Sequence, residues 1–286
     1  MNRIVLFSIV VLLAPNISIL AASAREEKIQ AFVSIPPQMY FVQRVGGERI
    51  AVSVMAGPGQ SPHTYEPTPR QMAALSRAQL YFRIGVPFES AWMRRIEQAY
   101  PSLKVIDTKK GITLRRMEAH HHEEEADDRS HNSDEEHKLE INQDPHIWLS
   151  PPLVKIQAQT VCDALVEIDP SHREEYQSNL EAFCTDLDRI DEEIKEILKD
   201  VRVRKFLLFH PSWGYFADAY GLQQIPIELE GKEPTAQQLT GLVELAEREG
   251  LKTIFIQPQF NKRIAETLAR TIGGRVAVID PLAGDY

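Results

Sequence analysis

Short β-branched and apolar segments alternate with helical patterns twice along this chain, and this alternation restricts the possible folds more than any other feature of the sequence. In the first half the strand patterns are "IQAFVSI", "RIAVSVM", "LYFRIG" and "LKVID", and from residue 205 they are "KFLLF", "QIPIEL", "TIFIQ" and "RVAVI". Strands that alternate with helices form parallel sheets covered by helices on both faces. The sequence therefore predicts an α/β fold of two similar lobes, each a four-stranded parallel sheet flanked by helices.

The segment between the two alternating regions has a different pattern. Residues 171–201 contain no glycine or proline, and their apolar positions follow a 4-3 spacing: Tyr176, Leu180, Phe183, Leu187, Ile190, Ile194, Ile197 and Val201. One α-helix of this length is about 45 Å long, enough to run along both lobes. A coiled-coil dimer seam has the same spacing and is the alternative. We predict one long rigid α-helix over 170–201, which joins an N-terminal lobe, 25–169, to a C-terminal lobe, 202–286.

The first 24 residues have the composition of a secretory signal peptide. Arg3 supplies a positive charge, "IVLFSIVVLLA" is an apolar core and "AASA" is a small-residue cleavage site. The apolar run is too short to span a bilayer, and Pro15 interrupts it. A transmembrane or amphipathic anchor is the alternative, but no cysteine follows the apolar core to carry a lipid. We predict cleavage after Ala24 and a periplasmic protein without a membrane anchor.

The charge of the chain argues against one class of partner. The full sequence has a net charge of −9 from 32 basic and 41 acidic residues. Removal of the signal peptide takes away one arginine and no acidic residue, which brings the charge to −10. Phosphate contacts need clustered lysine and arginine side chains, so we expect no nucleic-acid partner.

The two cysteines, Cys162 and Cys184, lie in helical patterns on either side of a break at "DPS", residues 169–171. An oxidising compartment would allow them to form a disulfide. Two helices that fold back at the break would place them at different heights and leave two free thiols. Both alternatives remain open at this point, and two cysteines are too few for a cysteine-based metal site.

Five of the nine histidines lie in one acidic tract, "HHHEEEADDRSHNSDEEH", which spans residues 120–137. Residues 118–143 combine low hydrophobicity with dense charge, so we predict a disordered loop there. Imidazoles and carboxylates attract divalent cations, and a chain that loses conformational entropy around each ion binds it weakly, so we predict weak metal binding by His120, His121, His122, His131 and His137. Of the other histidines, His172 stands beside charged residues at the start of the long helical pattern and is predicted to be a surface residue.

The remaining histidines and one aspartate follow predicted strands. His63, His146, His210 and Asp280 lie in segments that leave the carboxyl ends of strands, two in each lobe. Ligands of open α/β sheets bind at that edge, so the four residues are expected to converge in the cleft between the lobes. Three imidazoles and one carboxylate suit tetrahedral Zn²⁺, whereas Mn²⁺ prefers more oxygen ligands. Asp144 is placed to orient an imidazole from outside the ligand set.

Four motifs carry a resemblance to a known family. "SPHTYEPTP", "DPHIWLSP", "FHPSWGYFADAYGL" followed by "ELEGKEPT", and "VIDPL" occur in order along nearly the whole mature chain. They resemble the metal-binding solute-binding proteins of ABC importers for zinc and manganese, the cluster A-I family, and especially its zinc-specific branch. The resemblance implies two α/β lobes joined by one long helix. It also implies high-affinity capture of Zn²⁺ in the periplasm and delivery to a membrane permease with a cytoplasmic ATPase.

The same resemblance assigns the metal ligands. The family's ligand positions correspond to His63, His146 and His210, with the acidic ligand at Asp280, and histidine at the third position favours zinc over manganese. An acidic, histidine-rich loop before the second motif is typical of the zinc branch, which implies that the tract is an accessory to the site. Family members usually continue through a further helix after the aspartate, so we expect Asp280 to be the least firmly held. The possible substitutes are Glu66, Glu228, Glu230 or a water molecule.

Other functions remain as alternatives. A manganese- or iron-binding importer component would use the same architecture. A zinc hydrolase also uses three protein ligands and an open water position, but the sequence has no HExxH motif. A metal buffer or adhesin would use the tract itself as its working part. We predict a monomeric binding protein rather than an enzyme, with a zinc affinity that falls as pH drops through the ordinary imidazole range near ~6.5.

Overall fold

The computed structural model describes residues 27–117, 143–228 and 232–284. The predicted signal peptide, the five histidines of the acidic tract and Glu230 lie outside these ranges. Within them, no helix has both the length and the hydrophobicity that crossing a bilayer requires.

The N-terminal lobe contains a parallel sheet of order β2-β1-β3-β4, as the alternating pattern predicts. Its elements are β1 (Ile29–Val33), α1 (Pro36–Gly46), β2 (Ile50–Val54), α2 (Pro69–Leu75), β3 (Leu80–Arg83), α3 (Pro87–Ala99) and β4 (Lys104–Asp107). The start of α2 follows from its sequence. The Thr68 hydroxyl accepts a hydrogen bond from the main-chain nitrogen of Gln71, and the Gln71 side chain accepts one from the main-chain nitrogen of Thr68. Pro69 takes the first helical position.

The C-terminal lobe repeats this topology with the order β6-β5-β7-β8, again parallel. Its elements are β5 (Lys205–Leu208), α6 (Gly214–Tyr220), β6 (Gln223–Pro226), α7 (Ala236–Glu249), β7 (Thr253–Ile256), α8 (Lys262–Thr271) and β8 (Arg275–Val278). A capping box of Thr235 and Gln238 begins α7, the same device at the equivalent point of the second lobe. Each lobe packs its own hydrophobic core, and the carboxyl ends of both sheets carry the loops that form the candidate site.

Two helices follow the N-terminal sheet: α4 (Pro151–Ile168), which packs in the N-terminal core, and α5 (Arg173–Leu198), with a short 3-10 turn over Pro170–His172 between them. The predicted long helix is therefore present, although it begins and ends about three residues inside 170–201. It packs against α1 and α4 of the N-terminal lobe. Beyond that contact Asp191 accepts a hydrogen bond from Tyr220 of α6, at 2.7 Å, so α5 connects to both lobes.

The apolar stripe of α5 is buried over only part of its length. Its first half is in the core, through Tyr176, Leu180, Phe183 and Leu187, whereas Ile197 is 72% exposed. The reason is that α1 and α4 cover only the first half of the helix. The same burial excludes the coiled-coil alternative over that half, since the side chains already pack inside their own chain.

Both cysteines are free thiols, with Cys162 buried and Cys184 partly buried. Helix α5 does fold back on α4 after the turn. The disulfide alternative is therefore wrong, and the free-thiol alternative is confirmed. Burial raises the pKa of both thiols, which keeps them protonated at neutral pH.

Candidate metal centre

His210 lies two residues after β5, at the carboxyl edge of the C-terminal sheet. The residue is 5% exposed, and its Nδ1 atom lies 2.6 Å from Oε1 of Glu228. Gln257 holds its main chain, donating to the His210 carbonyl oxygen at 2.7 Å. Because a carboxylate only accepts, we infer that the imidazole proton is on Nδ1 and that Nε2 carries a lone pair. Nε2 is buried and has no hydrogen-bond partner among the described residues, so it is available to an ion.

His146 has the same arrangement on the N-terminal lobe. It is 6% exposed, its Nδ1 lies 2.7 Å from Oδ1 of Asp144, and its main-chain nitrogen donates to the same oxygen at 3.0 Å. The predicted contact of Asp144 with an imidazole is therefore present. The ring of Trp148 lies against the imidazole, with centres 5.0 Å apart. A carboxylate on Nδ1 again leaves Nε2 as the nitrogen that can bind a metal.

His63 lies in the long loop between β2 and α2 and is exposed. The loop is attached to α3 next to it, because Phe88 donates its main-chain N–H to the Pro62 carbonyl oxygen at 3.2 Å. The Phe88 ring also packs edge-on against Tyr65, with centres 4.9 Å apart. These contacts on both sides of His63 direct its imidazole toward the other lobe.

The three imidazoles meet between the lobes. The ring centre of His210 lies 4.9 Å from that of His63 and 5.3 Å from that of His146. Two imidazoles that bind one tetrahedral zinc through bonds of about 2.0–2.1 Å have ring centres about 5 Å apart. Phe260 stacks on His210 at 5.4 Å and closes the site on one side. The spacing of the rings therefore matches a shared ion.

The three imidazoles are close together, but they do not form a preformed metal-binding geometry. Over 27–117, 143–228 and 232–284, no group of three or more His, Cys, Asp or Glu side chains meets the geometry of a preformed metal site. The pocket that the three imidazoles line together with Phe260 and Pro281 has a cavity volume of about 30 Å³. This is enough for an ion and a bound water. Binding therefore requires the rings to reorient, and exposed His63 has the greatest freedom to do so.

The site favours neutral imidazoles. Loss of hydration and repulsion from His210 and His146 lower the pKa of His63 to about 4. Although the residue as a whole is exposed, it lines the pocket together with the other two histidines. Loss of hydration also lowers the pKa of His146, and Asp144 opposes this effect only in part. Both residues are therefore neutral at pH 7, the form that binds metal.

The structure places Asp280 at the rim of the site. The residue is exposed, and its Oδ1 accepts hydrogen bonds from Gln259 Nε2 at 3.1 Å and from the main-chain nitrogen of Leu282 at 3.0 Å. The next residue, Pro281, and Leu282 line the pocket itself. Asp280 is thus near the site but directed to other partners, and its role as fourth ligand stays a prediction. Of the possible substitutes, Glu66 is exposed.

Glu228 has a role that the sequence did not assign to it. It was considered only as a substitute ligand, whereas the structure places it, 4% exposed, on Nδ1 of His210. The sequence contains a pattern that could have indicated this contact: Glu228 follows β6, His210 follows β5, and these strands are neighbours in the sheet. Residues just beyond adjacent parallel strands meet at one sheet edge. Gln257, which directly follows β7 on the other side of β5, could have been found in the same way.

Two α/β lobes of identical strand order, with three imidazoles between their carboxyl edges and a long helix beside them, define a metal-binding solute-binding protein. A family model described as zinc-uptake complex component A, periplasmic (ZnuA), matches residues 32–286. The chain belongs to this family, whose members are periplasmic zinc-binding components of ABC zinc-uptake systems.

Individual relatives agree with this assignment. The chain is 28% identical over 276 residues to the high-affinity zinc uptake system protein ZnuA of Bacillus subtilis, covering 92% of this chain and 82% of the relative. It is 27% identical to the zinc-binding protein AdcA of Streptococcus pyogenes, of which it spans only 51%. A crystal structure of ZnuA is 43% identical and superposes with a TM-score of 0.80, covering 90% of this chain and 93% of that one. A ZnuA deletion mutant with zinc bound gives 42% identity, the same TM-score, and coverage of 91% and 92%.

Proposed function

We propose that this chain captures Zn²⁺ in the periplasm with His63, His146 and His210 and delivers it to the permease of an ABC importer, whose ATPase drives uptake. We further propose that it acts as a monomer without a membrane anchor after cleavage of residues 1–24, and that it is not an enzyme. Asp280 or a water molecule completes the tetrahedral set.

The observation that carries this proposal is the hydrogen bonding of the two ring nitrogens of His210. Glu228 holds its Nδ1, so the buried Nε2 has a lone pair and no hydrogen-bond partner within the described part of the chain. A buried polar atom without a partner costs free energy, and an ion that accepts the lone pair removes this cost. The two other imidazoles stand at the distances a shared zinc needs.

One experiment separates this proposal from its alternatives. Protein purified without added metal is analysed for bound metals and then titrated with Zn²⁺, Mn²⁺ and Fe²⁺ against a chelator of known affinity. One tight zinc ion per chain supports the proposal. Preference for Mn²⁺ or Fe²⁺ supports the other importer type, and many weak zinc ions without a tight one support a metal buffer. Turnover of ester, peptide or lactam substrates by the zinc-loaded protein would support a hydrolase.

The lowered pKa values change the expected pH dependence of binding. Protons compete with zinc only below the pKa of a ligand, and the pKa of His63 is about 4 while that of His146 is also below its ordinary value. We expect zinc affinity to fall less between pH 7 and 6 than it would with three imidazoles of the ordinary pKa of ~6.5, because protons compete less at His63 and His146 in this range. Competition titrations across this range measure it. A loss of about tenfold or more between pH 7 and 6 would contradict the neutral, shielded imidazoles.

The acidic tract is expected to contribute weak binding only. Its composition is that of a segment that loses conformational entropy when it orders around an ion, whereas the three ligand histidines are held by two folded lobes. Replacing 118–142 by a short Gly-Ser linker should remove weak zinc events and leave the tightest one nearly unchanged in calorimetric titration. The linker preserves the bridge of Arg116 with Gln143 that leads to His146.

The matched control keeps the length of the tract and replaces only its five histidines by serine. Loss of the same weak events in both variants would assign them to the imidazoles. Loss of the tight event in either variant would make the tract part of the primary site. Identical isotherms for the parent and both variants would show that the tract binds no zinc.

A further inference from the structure

A tyrosine of the C-terminal lobe bonds to the main chain of the loop that carries His146. Tyr215 is the second residue of α6, is 6% exposed and packs with the core of the N-terminal lobe rather than its own. Its hydroxyl donates to the main-chain oxygen of Asp144 at 2.8 Å and accepts from the main-chain nitrogen of Arg115 at 3.0 Å. Asp144 and Arg115 are themselves joined, since the Asp144 N–H donates to the Arg115 carbonyl oxygen at 2.9 Å. The Tyr215 hydroxyl therefore bonds to the main chain on both sides of the loop that leads to His146.

The residue before Tyr215 shows how closely the lobes approach there. A Cβ atom at Gly214 would lie 3.0 Å from Oδ2 of Asp144 and 1.3 Å from a guanidinium nitrogen of Arg115. Any side chain would have to displace these groups. Glycine lets α6 lie directly on the Asp144 loop, which is where the tyrosine hydroxyl reaches its two main-chain partners.

The contact between Tyr215 and Asp144 is linked to one ligand histidine on each side. Asp144 binds the main-chain nitrogen and Nδ1 of His146 with one carboxylate oxygen, so a shift of Asp144 shifts the imidazole. Tyr215 follows His210 by five residues on the same connection after β5. A single segment of the C-terminal lobe thus supplies one ligand histidine and holds the support of another.

We propose that Tyr215 is a positioning residue of the metal site, which sets the place of His146 relative to His210 across the two lobes. The inference rests on the proposed zinc site. Outer partners that hold a ligand's orientation contribute strongly to metal affinity, because a loosely held imidazole must be ordered when the ion binds. Without the hydroxyl, the main chain of Asp144 and Arg115 loses its hydrogen bonds to the C-terminal lobe. The ion pair of Arg115 with Asp218 and the bond from Trp148 to Pro281 remain, so the separation of the two buried histidines is held less firmly rather than lost.

The chain offers a matched control on the same helix. Tyr220 is 8% exposed and donates its hydroxyl to Asp191 of α5 at 2.7 Å, so it also bonds α6 to an element outside its lobe, away from the histidines. Tyr215→Phe and Tyr220→Phe each remove one phenolic hydroxyl and no ring. Zinc affinity, the zinc dissociation rate and the absorption spectrum of the Co²⁺-loaded protein are measured for both, with thermal melting of the metal-free forms.

We expect Tyr215→Phe to bind zinc about tenfold more weakly, to release it faster and to change the Co²⁺ spectrum, while Tyr220→Phe matches the parent in all three. Equal affinities and spectra for the two variants would overturn the proposal. If Tyr215→Phe does not fold, Gly214→Ala, which crowds Asp144 and keeps the hydroxyl, replaces it with the same expectation and the same overturning result. Failure of the parent to bind zinc tightly would instead reject the proposed function.

Discussion

His63→Ala, His146→Ala and His210→Ala are each expected to weaken the tightest zinc-binding event by more than about 100-fold, since loss of an outer partner of a ligand already costs about 10–100-fold. Each variant removes one of three imidazoles whose ring centres meet between the lobes. Competition titration against a chelator measures the change. Asp280→Ala should have a smaller effect, because its Oδ1 is engaged by Gln259 and Leu282 at the rim.

The three variants should differ in stability without zinc. His63 is exposed, so its removal should leave the melting temperature of the metal-free protein nearly unchanged. Removal of His210 leaves the buried carboxylate of Glu228 without its imidazole partner, and this should destabilise the fold by about 1–3 kcal/mol or more. A matched control is His172→Ala, because His172 Nδ1 also lies 2.7 Å from a carboxylate, that of Asp169, at the start of α5. Tight zinc binding by all three ligand variants would show that the site lies elsewhere.

Glu228→Gln is expected to weaken zinc binding by about 10–100-fold while the three imidazoles remain. A glutamine oxygen can still accept from Nδ1 of His210, so the ring keeps its orientation. The substitution removes the buried negative charge that strengthens the imidazole as a donor and compensates part of the charge of Zn²⁺. Asp144→Asn should act in the same direction on His146. Competition titration and the melting temperature of the metal-free protein are measured together.

A buried carboxyl group that bonds to no imidazole provides the control for this experiment. Glu89 is 4% exposed, like Glu228, and accepts from Ser34 and from the main-chain nitrogens of Ile84 and Gly85. Burial raises the pKa of Glu89, and Glu89→Gln replaces this buried carboxyl group in the N-terminal lobe without touching a ligand histidine. If it lowered zinc affinity as much as Glu228→Gln does, the effect would reflect general destabilisation, and the assignment of Glu228 as the partner of a ligand would be wrong.

Local patterns were sufficient to predict the helices and strands. The β-branched runs and the glycine-free stretch of α5 are local patterns, and each gives the expected element in the folded chain. The placement of His63, His146 and His210 after strands follows as well, because parallel strands bring their carboxyl ends to one edge. These features depend on backbone geometry and side-chain periodicity, which a sequence shows directly.

The remaining features depend on contacts between residues far apart in the chain. The sequence by itself determined two α/β lobes, a joining helix and three histidines at the sheet edges. Only the tertiary structure decided that Glu228 holds His210, that Tyr215 supports the loop of Asp144, and that Asp280 is directed to Gln259. It also decided where the stripe of α5 leaves the core. The physical reason is distance along the chain. His210 and Glu228 are 18 positions apart and Tyr215 and Asp144 are 71 apart, so strand order and lobe packing bring them together, and no local periodicity encodes these contacts.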